Sequence, residues 1–152
     1  MEVLQLGREA AEDFCRLRME LFRELGELRE ESDIPSLEKA TNEYYLEHIG
    51  KELFAWGVYS GGTLQAVGAL CLFSRLPYGE NLSGGEGYIL SIYTAPAYRR
   101  RGFAAAILDR ILTFSRERGI RRLWLSSSEQ GRPLYTSRGF LPRNGEMERI
   151  LA

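Results

Sequence analysis

Three consecutive arginines, Arg99, Arg100 and Arg101, stand directly before Gly102, and an apolar helical pattern of Ala104, Ala105, Ile107, Leu108, Ile111, Leu112 and Phe114 follows it. Where a chain turns through glycine into a helix, the first N–H groups lack intrahelical partners and point outward at the positive end of the helix dipole. Such a turn binds phosphate. Gly102 lets the chain turn tightly, and Ala104, Ala105 and Ala106 keep the first helical turn small enough for a bulky ligand to lie against it. Charge and space together suit a pyrophosphate. The turn is neither the Gly-x-Gly-x-x-Gly of a dinucleotide site nor the Gly-x-x-x-x-Gly-Lys of a P-loop. Taken alone it fits equally well three arginines that flank a solvated helix end. Other reactive side chains are sparse. His48, the only histidine, sits in an acidic helical stretch and reads as a surface or packing residue. Cys15 and Cys71 are far apart, with no Cys-x-x-Cys or Cys/His cluster, and read as buried free thiols.

The elements that must hold this turn can be read from periodicity. Gly87 to Thr94 has strand composition and ends at Ala95–Pro96; the helix opened by Gly102 stops at Gly119; Leu123–Trp124–Leu125 starts another strand. A strand, a helix and a further strand form a βαβ unit, whose two strands should be parallel. Upstream, Val3, Leu4 and Leu6 make a short strand. Phe14, Leu17, Leu21, Leu25 and Leu28 give an amphipathic helix from Arg8 to about Glu30. Ser32 to Ser36 is expected to break it, with Thr41 or Asn42 capping a second helix through Tyr45, Ile49 and Leu53. Phe54–Ser60 and Thr63–Phe73, joined by Gly61–Gly62, read as a hairpin. Pro77 to Gly85 is a loop, Gly131 to Ser137 a short helix, and Phe140–Leu141 and Met147–Leu151 are expected to supply closing strands.

The 152 residues with 44% apolar content suit one domain covering 1–152. No apolar run reaches the roughly 18 residues of a membrane span, and the amino terminus lacks a secretory pattern, so a cytoplasmic protein with no membrane partner is expected. The net charge of −1 argues against a general nucleic-acid binder, but the charge is unevenly spread. From Glu20 to Glu52 there are ten acidic and four basic residues, whereas from Arg99 to Arg122 there are eight arginines and two acidic residues. The second region suits a polyanion. The first either attracts a cationic substrate or is only a solvated helical face.

The stretch Tyr93–Thr94–Ala95–Pro96–Ala97–Tyr98–Arg99–Arg100–Arg101–Gly102–Phe103–Ala104, with Ile107–Leu108 after it, resembles the acetyl-CoA motif Arg/Gln-x-x-Gly-x-Gly/Ala of the GNAT superfamily of N-acetyltransferases. Leu134–Tyr135–Thr136–Ser137–Arg138–Gly139–Phe140 resembles the second signature of that family, a Leu-Tyr pair followed by Gly-Phe. The resemblance implies an α/β fold with a mixed, mostly antiparallel central sheet, a splayed parallel strand pair and flanking helices. It implies that the backbone from about Arg101 to Ala106 holds the pyrophosphate of coenzyme A. Arg99, Arg100, Arg101, Gly102, Phe103, Ala104 and Ala105 would then form the cofactor turn. The pantetheine arm would run along Ile92, Tyr93 and Thr94, where a main-chain N–H near Ile92 or Tyr93 would stabilise the oxyanion.

By the same resemblance Tyr135 would be the general acid for the leaving thiolate, and Ser128 stands where many relatives place a cofactor-contacting asparagine. Tyr88 stands where some relatives carry a catalytic glutamate. Glu86, on the same strand face, is therefore the candidate base through water. The implied reaction is acetyl transfer from acetyl-CoA to a primary amine by direct attack, without a metal. The acceptor would be held by the two amino-terminal helices, the loop between them and the Pro77–Gly85 loop. A homodimer is the assembly the family suggests. A non-catalytic acyl-CoA-binding regulatory module is the alternative, favoured by the absent acid at Tyr88 and absent asparagine at Ser128 and opposed by Tyr135.

Overall fold

The computed structural model describes residues 1–28, 30 and 33–151. Its centre is a five-stranded sheet in chain order: β1 (Leu4–Gln5), β2 (Leu53–Ser60), β3 (Thr63–Ser74), β4 (Gly85–Thr94) and β5 (Arg122–Leu125). The first four strands pair antiparallel, and β4 pairs parallel with β5. Four α-helices accompany them among the described residues: α1 (Ala11–Leu25), α2 (Asp33–His48), α3 (Phe103–Glu117) and the short α4 (Arg132–Ser137). The β2–β3 hairpin turns through Gly61 and Gly62, whose φ values of 62° and 78° belong to the left-handed region that a two-residue turn of this twist requires.

Strand alternation sorts β2 onto both faces of the sheet. Leu53 and Ala55 face one core layer with Phe14 and Leu17 of α1 and Tyr45 of α2. Phe54, Trp56 and Val58 face the other, with Ile107, Leu108 and Ile111 of α3. Leu17 and the three α3 residues are fully buried, which fits an apolar stripe at helical spacing. Tyr45 is buried as well, and its hydroxyl donates to the Gly7 carbonyl at 2.7 Å.

Three expectations are corrected by the structure. The first helix is shorter than predicted: it stops at Leu25, because Gly26 takes φ 70° and its N–H closes onto Phe22 and Arg23. Leu28 therefore lies beyond it, and Arg29 is outside the described residues.

The second helix starts at Asp33, so Asp33 to Ser36 is helix and not a break, and Thr41 and Asn42 lie inside it. Ser32 is outside the described residues. Pro35 marks a helix start because a first-turn N–H has no intrahelical acceptor to lose. Thr41 is instead a buried contact, and Leu53 opens β2.

The third correction concerns the carboxyl-terminal end, where Phe140–Leu141 and Met147–Leu151 form no strands. Leu141, Met147, Ile150 and Leu151 are all exposed, so nothing in the described chain rewards their pairing. Ala152 is outside the described residues. No helix among the described residues is long and apolar enough to cross a membrane.

Candidate active site

The site forms because β4 parts from β5. Their parallel pairing runs from Glu86 with Arg122 to Ile89 with Leu125 and ends there, while β4 continues to Thr94. At that point β4 also carries an extra residue. Leu90 pairs with Ala69 and Tyr93 with Val67, so Ser91 and Ile92 together oppose Gly68. This is a β-bulge, which bends the strand, interrupts the ladder and leaves backbone polar groups unpaired. Ser91 has φ 55°, an uncommon value for a residue with a side chain. Gly68 is what allows it: a Cβ there would stand 2.6 Å from both Ile92 and Ile107. The sequence signal is the apolar pairs Ile89–Leu90 and Ile92–Tyr93 around a small polar residue, which break strict alternation.

The turn into α3 has the predicted form. Arg100 and Gly102 both have positive φ, 64° and 82°, and Gly102 caps a helix start that no side chain caps. The first intrahelical bond here runs from Ala106 N–H to Gly102 carbonyl at 3.0 Å. The N–H groups of the turn before it are thus directed outward. A Cβ added at Gly102 would meet nothing within 4 Å, so the space over this turn is open. A cavity of about 570 Å³ covers it and reaches along the end of β4 to α4. Ile92, Tyr93, Thr94, Arg99, Arg100, Gly102, Phe103, Ala104, Ala105, Ser128 and Tyr135 all line this cavity. The predicted cofactor residues are therefore brought together with one exception: Arg101 does not line it, and its guanidinium lies 5.0 Å over the Tyr98 ring.

Arg99 does more than line the cavity. It binds Glu24 through two nitrogens at 2.9 and 2.6 Å and donates to the Thr94 carbonyl at 2.9 Å. The hydrogen bonds it donates to Glu24 hold this guanidinium above its usual range. It thus ties the turn to the end of α1, with its charge already partnered. Ser128 accepts a hydrogen bond from Gly131 N–H at 3.1 Å and so fixes the start of α4. α4 presents Tyr135 to the cavity, its ring edge-on to Phe140 at 6.0 Å between centroids. Burial pushes the Tyr135 phenol above its ordinary value, so it is protonated at neutral pH.

Glu86, the candidate base, lies within β4 one residue from its start. It is fully buried. One carboxylate oxygen accepts from the Trp124 indole at 2.8 Å and Arg75 at 3.3 Å; the other accepts from the Tyr78 hydroxyl and from Asn81 at 3.3 Å. Burial raises its pKa, but the bonds from Tyr78, Trp124 and Asn81 and the charge of Arg75 outweigh that, holding it below the usual carboxylate range. Glu86 is not among the residues lining the cavity over α3. Tyr88 is half out in solvent, and His48 stacks on Tyr44 and bonds Glu52 at the end of α2. Cys15 and Cys71 are free thiols, pushed up by burial.

This geometry has relatives. The Acetyltransferase (GNAT) family model matches residues 12–140, and the chain belongs to that family. It is 36% identical over 90 residues to the uncharacterized N-acetyltransferase YedL of Escherichia coli, covering 56% of this chain and 51% of that protein. It is 32% identical over 96 residues to the uncharacterized N-acetyltransferase YsnE of Bacillus subtilis, covering 60% and 58%. The match thus spans little more than half the length of these relatives. Among solved structures, a GCN5-related N-acetyltransferase from Ralstonia eutropha superposes with TM-score 0.86 at 29% identity, covering 98% of this chain and 97% of that one. A predicted acetyltransferase from Clostridium acetobutylicum, solved with acetyl-CoA, superposes with TM-score 0.85 at 23% identity, covering 98% and 95%. The mixed sheet with one parallel pair and flanking helices is the fold these neighbours share.

Proposed function

We propose that this protein transfers an acetyl group from acetyl-CoA to a primary amine by direct attack. The observation that carries the reading is one continuous cavity joining the uncapped start of α3, the bulged half of β4 and the Tyr135 ring. The residues fit the donor: an open, positively polarised helix start over Gly102 suits a pyrophosphate, and the unpaired strand edge suits an amide-bearing arm. When bound, acetyl-CoA supplies the activated acyl group.

The chain's own groups then have separate tasks. The α3 start and Arg100 hold phosphate. Backbone N–H groups at the Ile92–Tyr93 bulge stabilise charge on the carbonyl oxygen in the transition state. The amine nitrogen forms the new C–N bond as the C–S bond breaks. Tyr135, protonated at neutral pH, gives its proton to the departing sulfur and recovers one from the nitrogen through water. Arg99 positions the turn. Glu86, bonded on both oxygens, fixes β4 against β5 and the Tyr78–Asn81 loop, so the amine must lose its proton to water or to another group. The reading includes a soluble cytoplasmic enzyme, with a homodimer as its assembly.

Isothermal titration of acetyl-CoA tests the donor site, and release of free thiol on mixing with amines tests the transfer. Binding with amine-dependent thiol release is the expected result. Binding without release from any amine would favour the regulatory-module reading, and no binding would overturn both.

A further inference from the structure

A second cavity, of about 240 Å³, lies between α1, α2 and the β3–β4 face, and its lining includes Ser91 of the bulge. Ile92 and Tyr93, the next two residues, line the cavity over α3, so successive residues of the bulge serve the two cavities. Phe14, Leu53, Ala69 and Leu90 make the second cavity mostly apolar. One cation points into it. Arg18, half-buried on α1, donates to Ser91 Oγ at 3.1 Å and Thr41 Oγ1 at 3.2 Å.

Both of these partners are neutral hydroxyls. Five other arginines in the described chain lie within 4 Å of carboxylates: Arg16 with Asp13 and Glu20, Arg99 with Glu24, Arg75 with Glu86, Arg122 with Glu80 and Arg138 with Asp109. Arg18 has no such contact among the described residues. Its guanidinium stands 4.7 Å over the Phe22 ring, and desolvation is the main influence on its charge. Glu27 is the carboxylate whose charge reaches it. The other titratable groups lining the cavity are Tyr44, Tyr45 and Cys71, all pushed up by burial and therefore neutral at pH 7. A desolvated guanidinium held in place by two hydroxyls, with further N–H groups to donate, is complementary to a carboxylate.

We propose that this cavity is the acceptor subsite and that Arg18 binds the carboxylate of a small acceptor that carries both a primary amine and an apolar body, as an α-amino acid with an apolar side chain does. The proposal rests on the acetyl-transfer reading and adds the substrate class to it. The distance from carboxylate to amine in such a molecule is short, so an acceptor anchored at Arg18 beside Ser91 brings its amine to the bulge where the acetyl carbonyl is received. Polyamines and aminoglycosides carry no anion for Arg18 and add a like charge beside it, so they are disfavoured. The acidic run from Glu20 to Glu52, which suggested a cationic substrate, leaves this cavity lined by a cation and not by a carboxylate.

The test titrates the coenzyme-A-saturated protein with L-leucine, L-methionine and L-phenylalanine and with the carboxamide of each, which keeps the amine and side chain and removes the anion. At least one of the acids is expected to bind, and its amide about 30-fold more weakly or worse, the scale of a hydrogen bond to a charged group. Arg18→Met should erase that ratio and Arg18→Lys should keep part of it, with coenzyme A affinity and melting temperature near wild type in both. Arg18→Lys covers the case in which Arg18→Met fails to fold. Amides that bind as well as the acids, or no acid binding to the coenzyme-A-loaded protein, overturns the carboxylate assignment while leaving the donor site intact. Failure of coenzyme A itself to bind overturns the acetyl-transfer reading and this inference with it.

Discussion

The two ends of β4 treat polar groups in opposite ways. At its start Glu86 is enclosed, and every acceptor direction is taken by Trp124, Arg75, Tyr78 or Asn81. At its far end Ser91 bulges, the β5 ladder has stopped, and the uncapped turn before α3 faces open space. A polar group whose partners are all intramolecular is spending its bonding on the fold. Groups that the chain leaves partly unpaired beside a cavity are available to a ligand. Within one strand, this criterion and the proposed acetyl transfer together make Glu86 a structural group and the bulge the place where chemistry is expected.

The sharpest way to break that contrast is Glu86→Ala. Removing a buried acceptor strands the Trp124 indole, the Asn81 amide and the Tyr78 hydroxyl, and the expected loss is about 3 to 5 kcal/mol in chemical denaturation. The acid limb carries the same information. The folded-state pKa of Glu86 lies below its unfolded value, so its contribution is complete above about pH 4.3 and fades as pH falls through the lower, folded value. Wild type should lose stability over that acidic window, and Glu86→Gln should show a flatter limb. An Ala variant that stays stable while turnover collapses would return Glu86 to the catalytic base role.

At the open end, Gly102→Glu is the next largest effect. It sets a carboxylate where the pyrophosphate should lie and forces a side chain into φ 82°. Acetyl-CoA affinity should fall by at least ~100-fold, about 2.7 kcal/mol, with only about 1 kcal/mol lost in folding, since the added Cβ meets no neighbour. Unchanged titration curves would show that the turn is no anion site.

The open end was far more legible in sequence than the closed one. Gly102, the alanines after it and Tyr135 stand in contiguous signatures, because a phosphate turn is a local backbone device that needs its residues next to each other. The Glu86 network draws on residues 75, 78 and 81 just before the strand and on Trp124, which the parallel pairing of β4 with β5 brings in from 38 residues away. No spacing rule announces it, and a glutamate beside a glycine-rich loop looks solvated. Arg18 was hidden for the same reason, since its partners Thr41 and Ser91 come from another helix and a strand. The α2 start was misjudged on local grounds, with Pro35 weighed as a breaker although a first-turn proline is compatible with helix. The unformed closing strands show the limit of apolar composition: Met147 to Leu151 has strand-like residues but no partner among the described residues.

Tyr135→Phe probes chemistry without disturbing either end of the strand. Turnover should fall by about 30-fold, below the usual range for a general acid, because a thiolate leaves with little help. Acetyl-CoA affinity should stay within a few-fold. Since burial raises the phenol's pKa, its protonated form persists to higher pH than a free tyrosine, and wild-type turnover should fall on the alkaline side only as pH rises past about 10. An alkaline limb that is identical in Tyr135→Phe would remove the tyrosine from the proton path.

The smallest effect comes from Arg99→Met, and it tests whether the criterion holds inside the open end itself. Arg99 lines the cofactor cavity, yet its guanidinium is already matched by Glu24 and the Thr94 carbonyl. If intramolecular saturation marks structure, this arginine matters by docking the turn on α1 and not by binding phosphate. The pair is well exposed, so its loss should cost less than about 1 kcal/mol of stability. Acetyl-CoA affinity should drop only two- to five-fold, and the drop should appear equally in Glu24→Gln, which leaves the arginine charge free to meet a phosphate. If instead Arg99→Met weakened binding as severely as Gly102→Glu while Glu24→Gln strengthened it, Arg99 would exchange its carboxylate for the ligand. A satisfied ion pair at a cavity wall would then be a latent contact, and the contrast between the two ends of β4 would have to be drawn from accessibility and not from bonding.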